Sequence, residues 1–154
     1  MNLVYKKATI EDIEVLTETR IEVLRAANKL SADTNMDEVR KQSYDYYEKA
    51  LSDGTHIAYL IFDENQIVGT GGVSLFRVMP TYHNPSGKKA YIMNMYTKPM
   101  YRRRGIAYKT LDKLIKDVKS KGITAISLEA TDMGRPLYEK YGFVKMNDEM
   151  ELPQ

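Results

Sequence analysis

The sequence predicts a mixed α/β (α+β) domain, a sheet with helices on its faces. Three observations predict it. After a short opening strand, the pattern is helical up to Gly54 and rich in β-forming residues from His56 onward. A strong amphipathic stripe, Ala107, Leu111, Leu114, Ile115 and Val118, follows Gly105, with lysines on the opposite face. The overall order reads β-α-α-β-β-β-α-β-α-β, with no repeat, linker or low-complexity tract. A chain of 154 residues suits one hydrophobic core, so residues 1–154 are expected to form a single domain.

Leu3–Ala8 reads as the first strand. Thr9 then looks like an N-cap, with Asp12 three residues on in an imperfect capping box. Ile13, Leu16, Ile21 and Leu24 give an amphipathic helix to about Asn28, and Lys29–Asn35 is turn-like. A second helix is expected from Met36 to Leu51, ending near Gly54. His56–Phe62 and Gln66–Val78 read as strands around an Asp63-Glu64-Asn65 turn. Gly69, Gly71 and Gly72 suggest a bend or bulge in the second. Met79–Lys88 carries two prolines and a glycine and reads as a loop. Ala90–Thr97 is a further strand, and Pro99–Arg104 a basic loop before the amphipathic helix, which Gly122 ends. Ile123–Ala130 reads as a strand, Pro136–Tyr141 as a short helix, and Phe143–Leu152 as a closing strand or hairpin.

Composition removes several classes. There is no cysteine, hence no disulfide framework and no thiolate nucleophile or metal ligand. His56 and His83 are far apart in sequence, and no His/Asp/Glu cluster has ligand spacing, so no metal is expected. No run approaches the roughly 18 apolar residues of a membrane span, and the first residues lack the apolar core of a signal peptide. A cytoplasmic protein without membrane partners is the expectation. The net charge of +2 does not argue for nucleic acid, although positive charge gathers between Lys98 and Lys121. Such a run reads equally well as a solvated face.

The glycine inside that run makes it more specific. Arg102-Arg103-Arg104-Gly105-Ile106-Ala107 lies between a strand and a helix. The first amides of a helix have no intrahelical partners, and the helix dipole adds partial positive charge there. A glycine allows close backbone approach, and arginines add forked donors. The combination suits a pyrophosphate. A basic loop whose glycine only relieves strain is the plain alternative. Neither a G-x-x-x-x-G-K-[ST] loop nor a G-x-G-x-x-G turn is present, which argues against an NTPase or a dinucleotide enzyme.

About thirty residues later comes Gly134-Arg135-Pro136-Leu137-Tyr138-Glu139-Lys140-Tyr141-Gly142-Phe143. Together with the strand Tyr91–Thr97 and the loop of Arg102, Gly105 and Ala107, this run resembles the GNAT superfamily of N-acetyltransferases. The resemblance is close over Ala90–Phe143. It implies a mostly antiparallel sheet of about six to seven strands with about four helices. It also implies acetyl-CoA as cosubstrate and a primary amine as acceptor, and leaves a homodimer open. By the same resemblance, main-chain amides of Arg102, Arg103, Arg104, Gly105, Ile106 and Ala107 would hold the pyrophosphate, with Tyr108 and Thr110 close by. Met95, Tyr96 and Thr97 would bond the pantetheine arm. Tyr138 would protonate the departing thiolate. Without the resemblance, Tyr138 reads as packing at the end of the sheet.

The chain departs from the family pattern at Thr131, where many members have an asparagine that contacts the pantetheine; by the resemblance the Thr131 hydroxyl would take over that contact. Glu129 is the nearest candidate for a general base acting through water, and it reads equally as an exposed strand carboxylate. Asn94 could orient substrate. The acceptor pocket is expected from the first two helices, Lys29–Asn35 and Met79–Lys88. Arg20, Glu22, Arg25, Asp33, Asp37, Tyr44 and Tyr47 lie in the helical part, and their mixed signs favour no acceptor charge. A CoA-binding module without catalysis and a nucleic-acid-binding domain are the rival classes.

Overall fold

The computed structural model describes residues Met1–Gln154. Its strands are β1 (Leu3–Lys7), β2 (His56–Asp63), β3 (Gln66–Arg77), β4 (Lys88–Thr97) and β5 (Ala125–Leu128). Its α-helices are α1 (Ile13–Ala27), α2 (Asp37–Asp53), α3 (Ile106–Ser120) and α4 (Arg135–Tyr141). The strands form one sheet in the order β1-β2-β3-β4-β5. The first four are antiparallel, and β4 and β5 are parallel, joined across α3.

Helices cover both faces. On one side α3 and α4 enclose the larger core, in which Ile106, Leu111, Leu114 and Val118 pack against Ile61, Val73, Ala90 and Ile92. On the other, α1 and α2 enclose a smaller one of Ile13, Leu16, Tyr47, Ala58 and Leu60. The alternation of β2 divides its side chains between them, as period two requires.

Local chemistry explains the boundaries. The Thr9 hydroxyl accepts from the Glu11 amide, and Asp12 returns a bond to the Thr9 amide at 2.8 Å, completing the capping box. It opens a 3-10 turn, Ile10–Asp12, that leads into α1. Gly54 ends α2 in the left-handed conformation that glycine adopts without cost.

Two expectations change. The sheet has five strands, not six or seven, and Phe143–Leu152 forms no strand or hairpin. A ladder needs a partner, and the last neighbour in the sheet, β5, is itself only four residues long. Val144, Met146, Met150 and Leu152 carry strand-like alternation but stand exposed.

Candidate active site

The site begins at an irregularity in β4. Thr70 pairs with Tyr96, but Gly72 pairs with Met93, so β4 carries one residue more than β3 between these points. The extra length is absorbed at Asn94, which has φ +61°. Asparagine is among the few non-glycine residues that tolerate this region. Crowding explains why glycine lies opposite. A Cβ on Gly71 would come 2.6 Å from Met95 Sδ and 2.9 Å from Thr110 Cγ2. The triple glycine of β3 thus marks the bulged strand pair, with the extra residue on the partner strand.

The bulge coincides with a parting of strands. β4 and β5 pair only over Lys89–Ile92 and Ala125–Leu128. Beyond Ile92, the β4 edge that faced β5 has no strand partner, and this free edge contains Met95, Tyr96 and Thr97. The buried Thr97 hydroxyl also has no partner. A free strand edge in a cleft is suited to hydrogen-bond an extended amide-containing chain.

At the end of β4 the chain turns through Pro99–Tyr101 into the basic loop. Arg103 (φ +63°) and Gly105 (φ +79°) are both left-handed. The Lys109 amide bonds Gly105 O at 3.0 Å, but none of the amides from Arg103 to Tyr108 has a backbone partner. Such a curved run of free N–H groups at a helix N-terminus is an anion cradle. A Cβ at Gly105 would meet no protein atom within 4 Å, so the glycine serves the left-handed turn rather than relieving contact within the protein. Arg102 braces the loop: its Nε donates to Thr97 O at 2.9 Å and its guanidinium lies over the Tyr96 ring. Arg103 and Arg104 are exposed. Ile106 buries its side chain and offers only its amide, whereas Ala107 and Tyr108 are half-buried at the loop. Thr110 does not join them. Its side chain is buried beneath β3 and its hydroxyl donates to Ile106 O at 2.8 Å.

Tyr138 is buried on the α3/α4 face, edge-on to Phe143. Burial alone raises its phenol above the ordinary tyrosine pKa. Gly134 lies against the ring, where a Cβ would be 3.1 Å from Cε2. Thr131 closes the turn that precedes α4: its hydroxyl accepts from the Gly134 amide at 3.1 Å. Tyr138 also borders a cavity of about 230 Å³ between β5 and the chain around Phe143. Glu129 follows β5, exposed, and raises the Tyr91 phenol after burial has done so. Tyr91 alternates with core residues Ala90 and Ile92, which puts Glu129 toward the α1/α2 face, opposite Tyr138.

On that α1/α2 face is a second cavity, of about 240 Å³, that reaches the bulge at Met93 and Asn94. Arg20, Tyr46, Tyr47, His56 and Ser74 also line it. Neither Lys29–Asn35 nor Met79–Lys88 lines this cavity. Of the helical residues singled out in the sequence, Arg20 and Tyr47 reach the cavity. Arg25 is held by the carbonyls of Ser31 and Thr34, and Asp37 by Arg40. Burial pushes the Tyr47 phenol up to about 12 and, with Arg20 nearby, His56 down to about 4, so His56 is neutral near pH 7. His56 carries no signal in the sequence. Its ring fits because Gly72, on the neighbouring strand, has no side chain to meet Nε2.

A strand pair that parts at a bulge and runs into a cradle of free amides suits a ligand with an extended amide-containing arm and an anionic group. The match of residues 24–143 to the acetyltransferase (GNAT) family model makes the identification: the chain belongs to this family of acyl-CoA-dependent acetyltransferases. A predicted acetyltransferase from Clostridium acetobutylicum, solved with acetyl-CoA, is 33% identical, with 99% of this chain and 96% of that one covered and a TM-score of 0.89. A GCN5-related N-acetyltransferase from Ralstonia eutropha JMP134 is 24% identical, with 99% of each chain covered and a TM-score of 0.83. An aminoglycoside acetyltransferase from an uncultured soil metagenomic sample, in complex with sisomicin, shares the fold at 15% identity, with 99% of this chain and 95% of that one covered and a TM-score of 0.74. No curated protein matches the chain. No helix is long and apolar enough to cross a membrane.

Proposed function

We propose that this protein transfers the acetyl group of acetyl-CoA to a primary amine of a small molecule or peptide, by direct attack in a ternary complex. The observation that carries the reading is the parting of β4 and β5 at the Asn94 bulge, with Tyr138 on one face of the sheet and the Arg20–His56 cavity on the other. Acetyl-CoA supplies an activated thioester carbonyl. The residues of this chain supply the rest. The amides of Arg103 to Tyr108 hold the pyrophosphate, and the free edge at Met95–Thr97 bonds the pantetheine arm. A β4 amide near the bulge stabilises the oxyanion that forms when the amine attacks. Tyr138, kept protonated by burial, donates its proton to sulfur as the C–S bond breaks. Glu129 is the candidate for taking the ammonium proton through water before attack. Holding both substrates at the bulge supplies much of the rate.

The test is release of free CoA thiol from acetyl-CoA with a panel of amino acids, polyamines, aminoglycosides and short peptides. Release with one amine class is the expected result. Stabilisation by acetyl-CoA in a thermal melt, without release from any amine, would refute transfer to the amines tested and leave the coenzyme site standing.

A further inference from the structure

Arg20 is the one formally charged residue lining the cavity that meets the β4 bulge; the others are Gln42, Ser43, Tyr46, Tyr47, His56, Ser74, Met93 and Asn94, with His56 neutral near pH 7. It is half-buried and forms no ion pair. Its Nη1 donates to Asn94 Oδ1 at 3.1 Å, which anchors it to the left-handed residue of the bulge. The rest of its donor fork has no protein acceptor. On its own helix Glu18 is paired with Arg40 at 2.8 Å, and Glu22 makes no ion pair with Arg20. A partly desolvated guanidinium with free donors and no ion pair is suited to receive an anion, because its fork makes charge-assisted bonds to one.

His56 lines the same cavity and adds no charge to it. His56 is 6% exposed, and its Nε2 has no hydrogen-bond partner. Its Nδ1 is already engaged with the Tyr46 hydroxyl at 2.8 Å, and that hydroxyl with Ser74 Oγ at 2.6 Å. His56 Nε2 is packed over Gly72 of the sheet, so the charged donor that opens onto this space is the Arg20 guanidinium, held there by Asn94.

We propose that the acceptor is a small primary amine that bears a carboxylate, and that Arg20 receives this carboxylate while the amine faces the β4 bulge. The inference rests on the transferase reading above. One guanidinium balances one carboxylate, and its fork matches the two oxygens. A phosphate monoester carries about −1.5 to −2 at neutral pH, and the cavity has no second cation for it. A polyamine or aminoglycoside would bring positive charge to a lining with no carboxylate. The cavity of about 240 Å³ suits a molecule the size of an amino acid.

Two measurements test this. In the first, thiol release is followed with amino acids, their carboxamides, and phosphorylated and polycationic amines. The carboxylates should lead in kcat/KM by about 30-fold or more, the range for a buried charge pair losing one partner. In Arg20→Gln that lead should collapse, mainly through KM, with acetyl-CoA affinity by calorimetry unchanged, and Arg20→Lys should restore part of it. In the second, N-acetyl amino acids and their amides are titrated into the CoA-loaded protein, with no turnover required. Carboxylate-selective binding lost in Arg20→Gln upholds the site even where no amine is turned over, and in that case it is the transfer reading that fails. Equal turnover of neutral or cationic amines, preference for the phosphorylated amine, or selectivity that survives Arg20→Gln each overturns the proposal.

Discussion

Gly105→Ala separates conformation from crowding in the anion cradle. An added Cβ would meet no protein atom within 4 Å, so no steric term arises inside the protein. The backbone sits at φ +79°, where an L-residue with a Cβ is about 1–2 kcal/mol less favourable. That energy has two destinations. If the loop keeps its left-handed turn, the folded state is destabilised and the melting temperature falls by about 2–8 °C for a chain of this size. If the loop relaxes, the melt barely moves, and the acetyl-CoA complex must restore the turn at a loss of about 5- to 30-fold in affinity. Calorimetry with acetyl-CoA and a thermal melt on the same sample read both destinations, and their sum should return the 1–2 kcal/mol. Gly105→Asn should lose less than alanine, because asparagine visits this region more readily. An alanine variant that equals wild type in both assays would refute the argument that the cradle depends on a left-handed residue 105.

Tyr138→Phe should lower kcat by roughly 10²–10⁴ with acetyl-CoA affinity held, measured by thiol release and calorimetry; wild-type turnover would exclude the proton-donor role. Gly71→Ala should destabilise by about 1–3 kcal/mol, seen in denaturant titration, because the new methyl meets Met95, Thr110 and Leu114. His56 should make stability depend on pH. Its folded pKa, about 4, lies below the unfolded 6.5, so between those values the unfolded chain binds the extra proton and stability falls as pH falls, levelling near 4. Arg20 opposes protonation, and Tyr46 and Tyr47, the other titratable groups facing His56, stay neutral in this window. The full effect is up to about 3 kcal/mol. His56→Asn should flatten the profile in urea titrations from pH 7 to pH 4, and an unchanged slope would place the titration elsewhere.

The sequence displayed best what depends on neighbours along the chain. The Thr9–Asp12 capping box, the Gly54 helix stop and the left-handed turn at Gly105 each need only a few adjacent residues. Features that depend on a facing strand were less legible. The glycines of β3 announced a bulge, but the left-handed residue is Asn94 across the ladder, with no compositional mark. The burial of His56 follows from Gly72 on another strand, and the position of Arg20 from its bond to Asn94 of β4. Thr110 was legible in principle. It falls on the stripe of Ile106 and Leu114, and its helical periodicity assigns it to the core rather than to the loop surface. The pattern at Phe143–Leu152 was misleading because alternation records what a strand would bury, not whether a partner exists.

The two faces of the sheet differ in how much they bury. The basic loop and Tyr138 adjoin the large core under α3 and α4, and the cavity of Arg20 and His56 borders the small core under α1 and α2. A substitution on the α1/α2 side therefore disturbs fewer packed neighbours than one on the α3/α4 side. On the reading proposed above, this asymmetry leaves the choice of acceptor freer to diverge than the choice of donor.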